Sequence, residues 1–213
     1  MTTNYISRRK FNFFSINSLF LLSSTELLFA QETLNKAVIS EALKPRYLGA
    51  TNAPIKLIEY FSMTCSHCAD FHLQTFPKIK KQYIDEGLVR FEMRDFPLDG
   101  IALRASAMAR IIEEDKYYNL VEILLKNQKK WTRNQNPIKK LKQYGRMAGI
   151  SSELLDQSMD DMELLEGIFK MRQFAEKEWG IKSTPSFIIN REIVISGNVT
   201  FKRFEDAFAK FKS

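Results

Sequence analysis

From Gly100 to Trp179 the sequence shows helical periodicity and no strand signal, whereas apolar, β-branched runs flank that stretch on both sides. Upstream, Ile55 to Phe61 reads as a buried strand and Val89 to Arg94 as a second. A helix between them makes a β-α-β unit, which implies parallel strands and a right-handed crossover. Downstream, Ser186 to Ile189 and Glu192 to Ile195 read as a hairpin turning at Asn190-Arg191. A terminal amphipathic helix follows, marked by Phe201, Phe204, Phe208 and Phe211. The order β-α-β, helical block, β-β-α predicts an α/β fold interrupted by an all-helical insertion. The chain has no internal repeat and no low-complexity tract.

The first crossover helix is expected from about Cys65 to Glu86, kinked or divided at Pro77 and closed by Gly87. Within the helical block, Ala102 to Glu114, Tyr117 to Gln128 and Lys139 to Met147 read as helices, and Ser151 starts another as a cap. Leu164, Ile168, Met171, Ala175 and Trp179 form one apolar stripe, which marks a core face. Glu32 to Leu43 is helix-compatible and ends at Pro45, and Gly49 to Pro54 is a turn-rich lead-in to the first strand.

Both cysteines of the chain fall in Cys65-Ser66-His67-Cys68, one helical turn apart, where the first strand hands over to a helix. Thiols at that spacing can close into a small ring and reopen, which points to thiol–disulfide exchange. The helix N-terminus favours a thiolate on Cys65, so Cys65 is the expected nucleophile and the more interior Cys68 the resolving thiol. His67, between them, is expected to stabilise that thiolate by charge or hydrogen bond. Glu59 interrupts an apolar strand six residues earlier; buried, it would exchange protons with Cys68, and at a solvated edge it would pair with Lys56 instead. Cys65, His67, Cys68 and His72 are all of ligand type, but one helix does not turn them to a single tetrahedral centre. No metal is therefore assigned, and His72 is read as a surface or packing residue.

With 45% hydrophobic residues the chain can bury a sizeable core. Its net charge of +7 comes from basic residues scattered among acidic ones, without the Arg-rich arm or aromatic pattern of a nucleic-acid site. The N-terminus reads as an export signal: Arg8-Arg9-Lys10, an apolar stretch from Phe13 to Ala30, and a polar start at Gln31. Cleavage is expected after Ala30, by the general secretory or the twin-arginine route.

Several stretches together resemble the DsbA family of exported thiol oxidoreductases, in which a helical domain interrupts a thioredoxin fold. They are Leu48-Gly49 through Ala53-Pro54, Glu59-Tyr60-Phe61-Ser62, Cys65-Ser66-His67-Cys68, Arg94 to Leu98 and Gly180 to Phe187. The resemblance implies a signal peptide over 1–30, an N-terminal helical extension over 31–45, a thioredoxin-like domain in two pieces (46–98 and 180–213), and a helical insert over 99–179. It implies that Thr184-Pro185 forms a cis-proline loop facing the cysteines and binding substrate backbone, and that Glu59 lies beneath them. It also implies a strongly oxidising Cys65–Cys68 disulfide given to reduced, newly exported proteins, no cofactor, a monomer, a periplasmic location and reoxidation by a quinone-linked membrane partner. The alternatives are an isomerase or reductase of the same fold, or a metal- or peptide-binding chaperone.

Overall fold

The computed structural model describes residues 36–211. The predicted signal segment and residues 31–35 of the predicted extension lie outside the described residues. Residues 38–211 fall within one compact unit. Residues 36–42 are helical (α1), in agreement with the helix expected before Pro45.

The sheet has five strands: β1 Arg46–Leu48, β2 Ile55–Phe61, β3 Val89–Asp95, β4 Ser186–Ile189 and β5 Ile193–Ser196. Their order is β1-β3-β2-β4-β5, with β3 parallel to β2 and all other neighbours antiparallel. The two sequence-distant halves therefore meet at β2–β4, where Glu59 pairs with Phe187. The turn after β4 is closed by Glu192 N–H donating to the Ile189 carbonyl. Asn190 and Arg191 there both have positive φ, 48° and 61°, as the mirror-image turns that suit hairpins require.

Strand alternation decides what lies under the cysteines. Ile55, Leu57, Glu59 and Phe61 share one face of β2, and all four are buried. That face meets α2 Ser66–Gln74, α3 Phe76–Ile79 and the C-terminal helix α10 Phe201–Phe208. Phe71, Phe187 and Phe204 pack there, with ring centroids 4.7 to 5.7 Å apart. On the opposite face Tyr60 and Ile188 meet Ala175 and Ile181.

Two expectations need correction. A strand that the sequence reading did not mark, β1, precedes the Gly49–Pro54 lead-in and forms an edge of the sheet against β3. The single helix expected from Cys65 to Glu86 is three pieces: α2, α3, and a π-helical turn Lys80–Ile84. Pro77 lies in the first turn of α3, where its missing N–H breaks no bond.

The helical block comprises α4 Gly100–Arg110, α5 Glu114–Lys126, α6 Gln128–Thr132, α7 Pro137–Met147, α8 Ser152–Asp160 and α9 Met162–Trp179. Leu164, Ile168 and Ala175 of the predicted stripe are buried, and Met171 and Trp179 are half-buried. Gly180 ends α9 in the left-handed conformation, at φ 63°.

A buried ion pair ties this block to the sheet. Arg110, at the end of α4, donates from Nε to the Asp95 carboxylate at the end of β3. Its Nη1 reaches the carbonyls of Ala42 at 2.9 Å and Lys44 at 3.2 Å, so one guanidinium gathers β3, α4 and the chain leading into β1. Removing one partner of such a pair strands the other charge. Asp95→Ala is expected to lower stability by about 3–5 kcal/mol in urea unfolding; a loss below about 1 kcal/mol would remove this pair from its structural role.

Candidate active site

Cys65 is the residue that caps α2: its φ and ψ, −76° and 117°, are extended, and helical geometry begins at Ser66. A side chain at this position faces the first free amides of the helix. Three contacts from distant sequence hold the connection between β2 and α2. Gln128 of α6, buried, donates from Nε2 to the carbonyls of Met63 and Cys65, both at 2.9 Å. Thr64 donates from Oγ1 to Asp99 at 2.8 Å, and Asp99 in turn caps α4 by accepting from the Ala102 amide. The Thr184 carbonyl accepts from Cys65 Sγ at 3.3 Å.

Both cysteines are thiols in this structure, and their surroundings pull their acidities apart. The pKa of Cys65 is lowered to about 5. A hydrogen bond from the Cys68 thiol is the largest cause, and it acts against desolvation. The Thr184 side chain and the amides of Cys68 and His67 add to the lowering. Cys68, fully buried, is pushed well above the ordinary thiol value, first by burial, then by its bond to Cys65 and by the negative charge of Glu59. Once Cys65 has ionised, the one proton left between the two sulfurs stays on Cys68.

The remaining sequence-selected residues separate by depth. Thr184 and Pro185 are buried beside Cys65, and their peptide bond is cis. The Thr184 hydroxyl has no other hydrogen-bond partner, which leaves it available to the Cys65 sulfur. The His67 side chain is exposed, and its backbone amide is among the groups that favour the thiolate. Glu59 is completely buried, so its edge-strand pairing with Lys56 does not occur. Its partner is His72: Nε2 and Oε2 share a hydrogen bond of 2.8 Å.

His72 is thus neither on the surface nor a plain packing residue. Cys65, His67, Cys68 and His72 do not converge on one point, and no cluster of three or more His, Cys, Asp or Glu suited to a metal occurs among the described residues. Gln128, Thr64, Asp99 and His72 are site residues that the sequence reading did not select. The i,i+4 spacing of Cys68 and His72 on one helix face was the only signal for any of them.

Alkylation of reduced protein is therefore expected to switch on with a midpoint near pH 5, because Cys65 is a thiol below that pH and a reactive thiolate above it. Stability carries the same sign. The depressed pKa stabilises the reduced fold fully above about pH 9, and this contribution is lost as pH falls through about 5. Gln128→Leu strands two buried carbonyls and loosens the turn; its alkylation midpoint is expected to move upward. A wild-type midpoint near 9 would overturn the assignment of Cys65.

The family model described as Thioredoxin matches residues 41–210. A putative protein-disulfide oxidoreductase of Rickettsia bellii is 32% identical over 144 residues, covering 67% of this chain and 56% of the relative. The chain thus spans little more than half the length of that curated relative. The crystal structure of Wolbachia pipientis alpha-DsbA1 superposes with a TM-score of 0.73 at 28% identity, covering 79% of this chain and 90% of the other. BdbD from Bacillus subtilis, at 21% identity and a TM-score of 0.69, shares the fold over 78% of this chain and 91% of its own. With two thiols at the start of the helix that follows β2, and this match along its length, the chain belongs to the thioredoxin family, in its DsbA-like branch.

Proposed function

We propose that the chain is an exported protein-disulfide oxidase that gives its Cys65–Cys68 disulfide to reduced proteins. The observation that carries this reading is the split in acidity between the two sulfurs. A thiolate held at Cys65 stabilises the reduced form, so the oxidised form is a strong electron acceptor. A pKa near 5 rather than the ordinary thiol value of 9.0 favours the reduced state by about 3 kcal/mol at pH 7, or roughly 60 mV for a two-electron couple.

The exchange balances as two displacements. A substrate thiolate attacks Cys65 Sγ, the Cys65–Cys68 bond breaks, and Cys68 leaves with the electron pair and takes up a proton. A second substrate thiolate then attacks the substrate sulfur of the mixed disulfide and expels Cys65 as a thiolate. The substrate is oxidised by two electrons and the enzyme reduced by two. Cys65 serves as the nucleophile's target and leaving group, and Cys68 as the resolving thiol. His67 supports the thiolate from the exposed side. Thr184 and Pro185 offer backbone beside the sulfur to an extended substrate segment, a short form of strand addition. No cofactor enters these steps. The monomeric state and a quinone-linked membrane reoxidase belong to the same reading, and the resemblance to the family supports them.

Equilibration with glutathione tests the direction. The pair is expected to stand far on the oxidising side of the thioredoxin value of about −270 mV, and oxidised protein should oxidise a reduced dithiol peptide. A thioredoxin-like potential would replace the oxidase with a reductase.

Export rests on Arg8-Arg9-Lys10 and the apolar stretch ending at Ala30. No helix among the described residues is long and apolar enough to cross a membrane. Mass spectrometry of the protein from its host is expected to find a mature start near Gln31. Soluble cytoplasmic protein retaining Met1 would overturn export.

A further inference from the structure

Glu59 has two oxygens in very different situations. Oε2 is bonded to His72, whereas Oε1 is buried with no hydrogen-bond partner, on the strand face that packs under α2. The charge of Glu59 is felt at Cys68, so the carboxylate lies within electrostatic reach of the thiol that must gain and lose a proton. A buried carboxylate oxygen left bare is costly unless it is used.

His72 is bonded to the other oxygen of that carboxylate. The imidazole is 5% exposed, and it lines a cavity of about 70 Å³ together with Lys80, Tyr118, Asn119 and Glu122. That volume is large enough for water, and its lining offers polar partners. The chain of groups therefore runs from Cys68 to Glu59, to His72, to a cavity between α2–α3 and α5 that can hold water.

We propose that His72 is a proton relay between Glu59 and solvent, loading and unloading the carboxyl group that serves Cys68. It acts through Glu59, and so is a positioning residue. The inference rests on the thiol–disulfide reading of Cys65–Cys68, and it gives that reading a proton path. When the disulfide opens, the Glu59–His72 pair delivers one proton to the Cys68 sulfur, leaving the carboxylate bonded to a neutral imidazole. Water in the cavity then returns a proton to His72. In the reverse direction Cys68 gives its proton to Glu59 before attacking the mixed disulfide, and the proton leaves by the same route. The titratable groups facing the pair are Cys68 on α2, Tyr117, Tyr118 and Glu122 on α5, and Lys80 from the π-helical turn. Tyr118 is held by the Arg46 carbonyl at 2.8 Å. Burial raises both tyrosines further above their ordinary value, so neither competes for the proton.

The test uses glutathione as the thiol, because opening the disulfide needs the relay whichever way the enzyme works in its host. In His72→Ala the single-turnover reduction of the disulfide is expected to slow by about tenfold or more. Free imidazole, entering the enlarged cavity, should restore it, whereas the Cys65 alkylation midpoint should not move. His72→Gln, which keeps the packing and a donor to Glu59 but carries no proton, should show the same slowing. An unchanged rate in either folded variant, or a slowed rate in His72→Ala that imidazole does not restore, would overturn the relay. Failure of wild-type protein to oxidise a dithiol peptide would instead strike the oxidase reading and leave these glutathione rates to decide the relay alone.

Discussion

The amide-rich start of α2, meeting the sulfur of Cys65, is the interaction around which the rest of this structure is arranged. A thiolate there satisfies helix N–H groups that no backbone carbonyl can reach. The arrangement works only if α2 begins at Cys65 and points into the core. The direction of the helix comes from Phe71, which is locked against Phe187 and Phe204, rings contributed by β4 and α10. Its starting point comes from β2, which ends at Phe61, and from Gln128 and Asp99, which hold the four-residue connection. The same packing that exposes one edge of Cys65 buries Cys68, so one geometric fact produces two opposite acidities.

Two buried acid–base pairs sit in this core; each leaves one carboxylate oxygen without a partner, and they differ in what surrounds them. Arg110 spends its donors on Asp95 and on two carbonyls of the chain leading into β1. Its other neighbours are backbone groups and the buried Tyr117 ring, whose acidity is pushed further from neutrality, so no adjoining group changes charge in turnover and the pair serves as a fixed bracket. Glu59–His72 has the opposite character. One oxygen of Glu59 is unused, one neighbour is a thiol that must be protonated in each turnover, and the imidazole borders a cavity. Burial alone would have ranked the two pairs together; the identity of the surrounding groups separates them.

Local signals in the sequence reach as far as the elements whose stability is local. The apolar run from Ile55 to Phe61, the turn at Asn190-Arg191 and the stripe on α9 each announce themselves through period and turn chemistry. The motif at Cys65–Cys68 is legible for the same reason, since both thiols lie on one helical turn. β1 is not, because three residues between Pro45 and Gly49 have no periodicity, and their partner β3 lies 43 to 47 residues away. Gly49 itself is required, with φ at 92° and the space for a Cβ taken by the Val89 carbonyl 2.4 Å away. The division of α2 from α3 was half legible: Pro77 signals a break, but its placement in the first turn of a new helix depends on how Phe76 docks against Phe71 and Phe91.

Gln128, Thr64 and Asp99 escaped the sequence reading for one cause, which also explains the helical block. Gln128 acts 63 and 65 residues from the carbonyls it holds, and Asp99 acts 35 residues from Thr64. Neither contact exists until the block has folded over the sheet. Without Gln128, the Met63 and Cys65 carbonyls would bond to water, and water at that turn would also reach the sulfurs. A dry Cys68 and a rigid N-terminus of α2 therefore both depend on α6. In this chain the helices between the two halves of the sheet are part of what sets the acidity of the thiols.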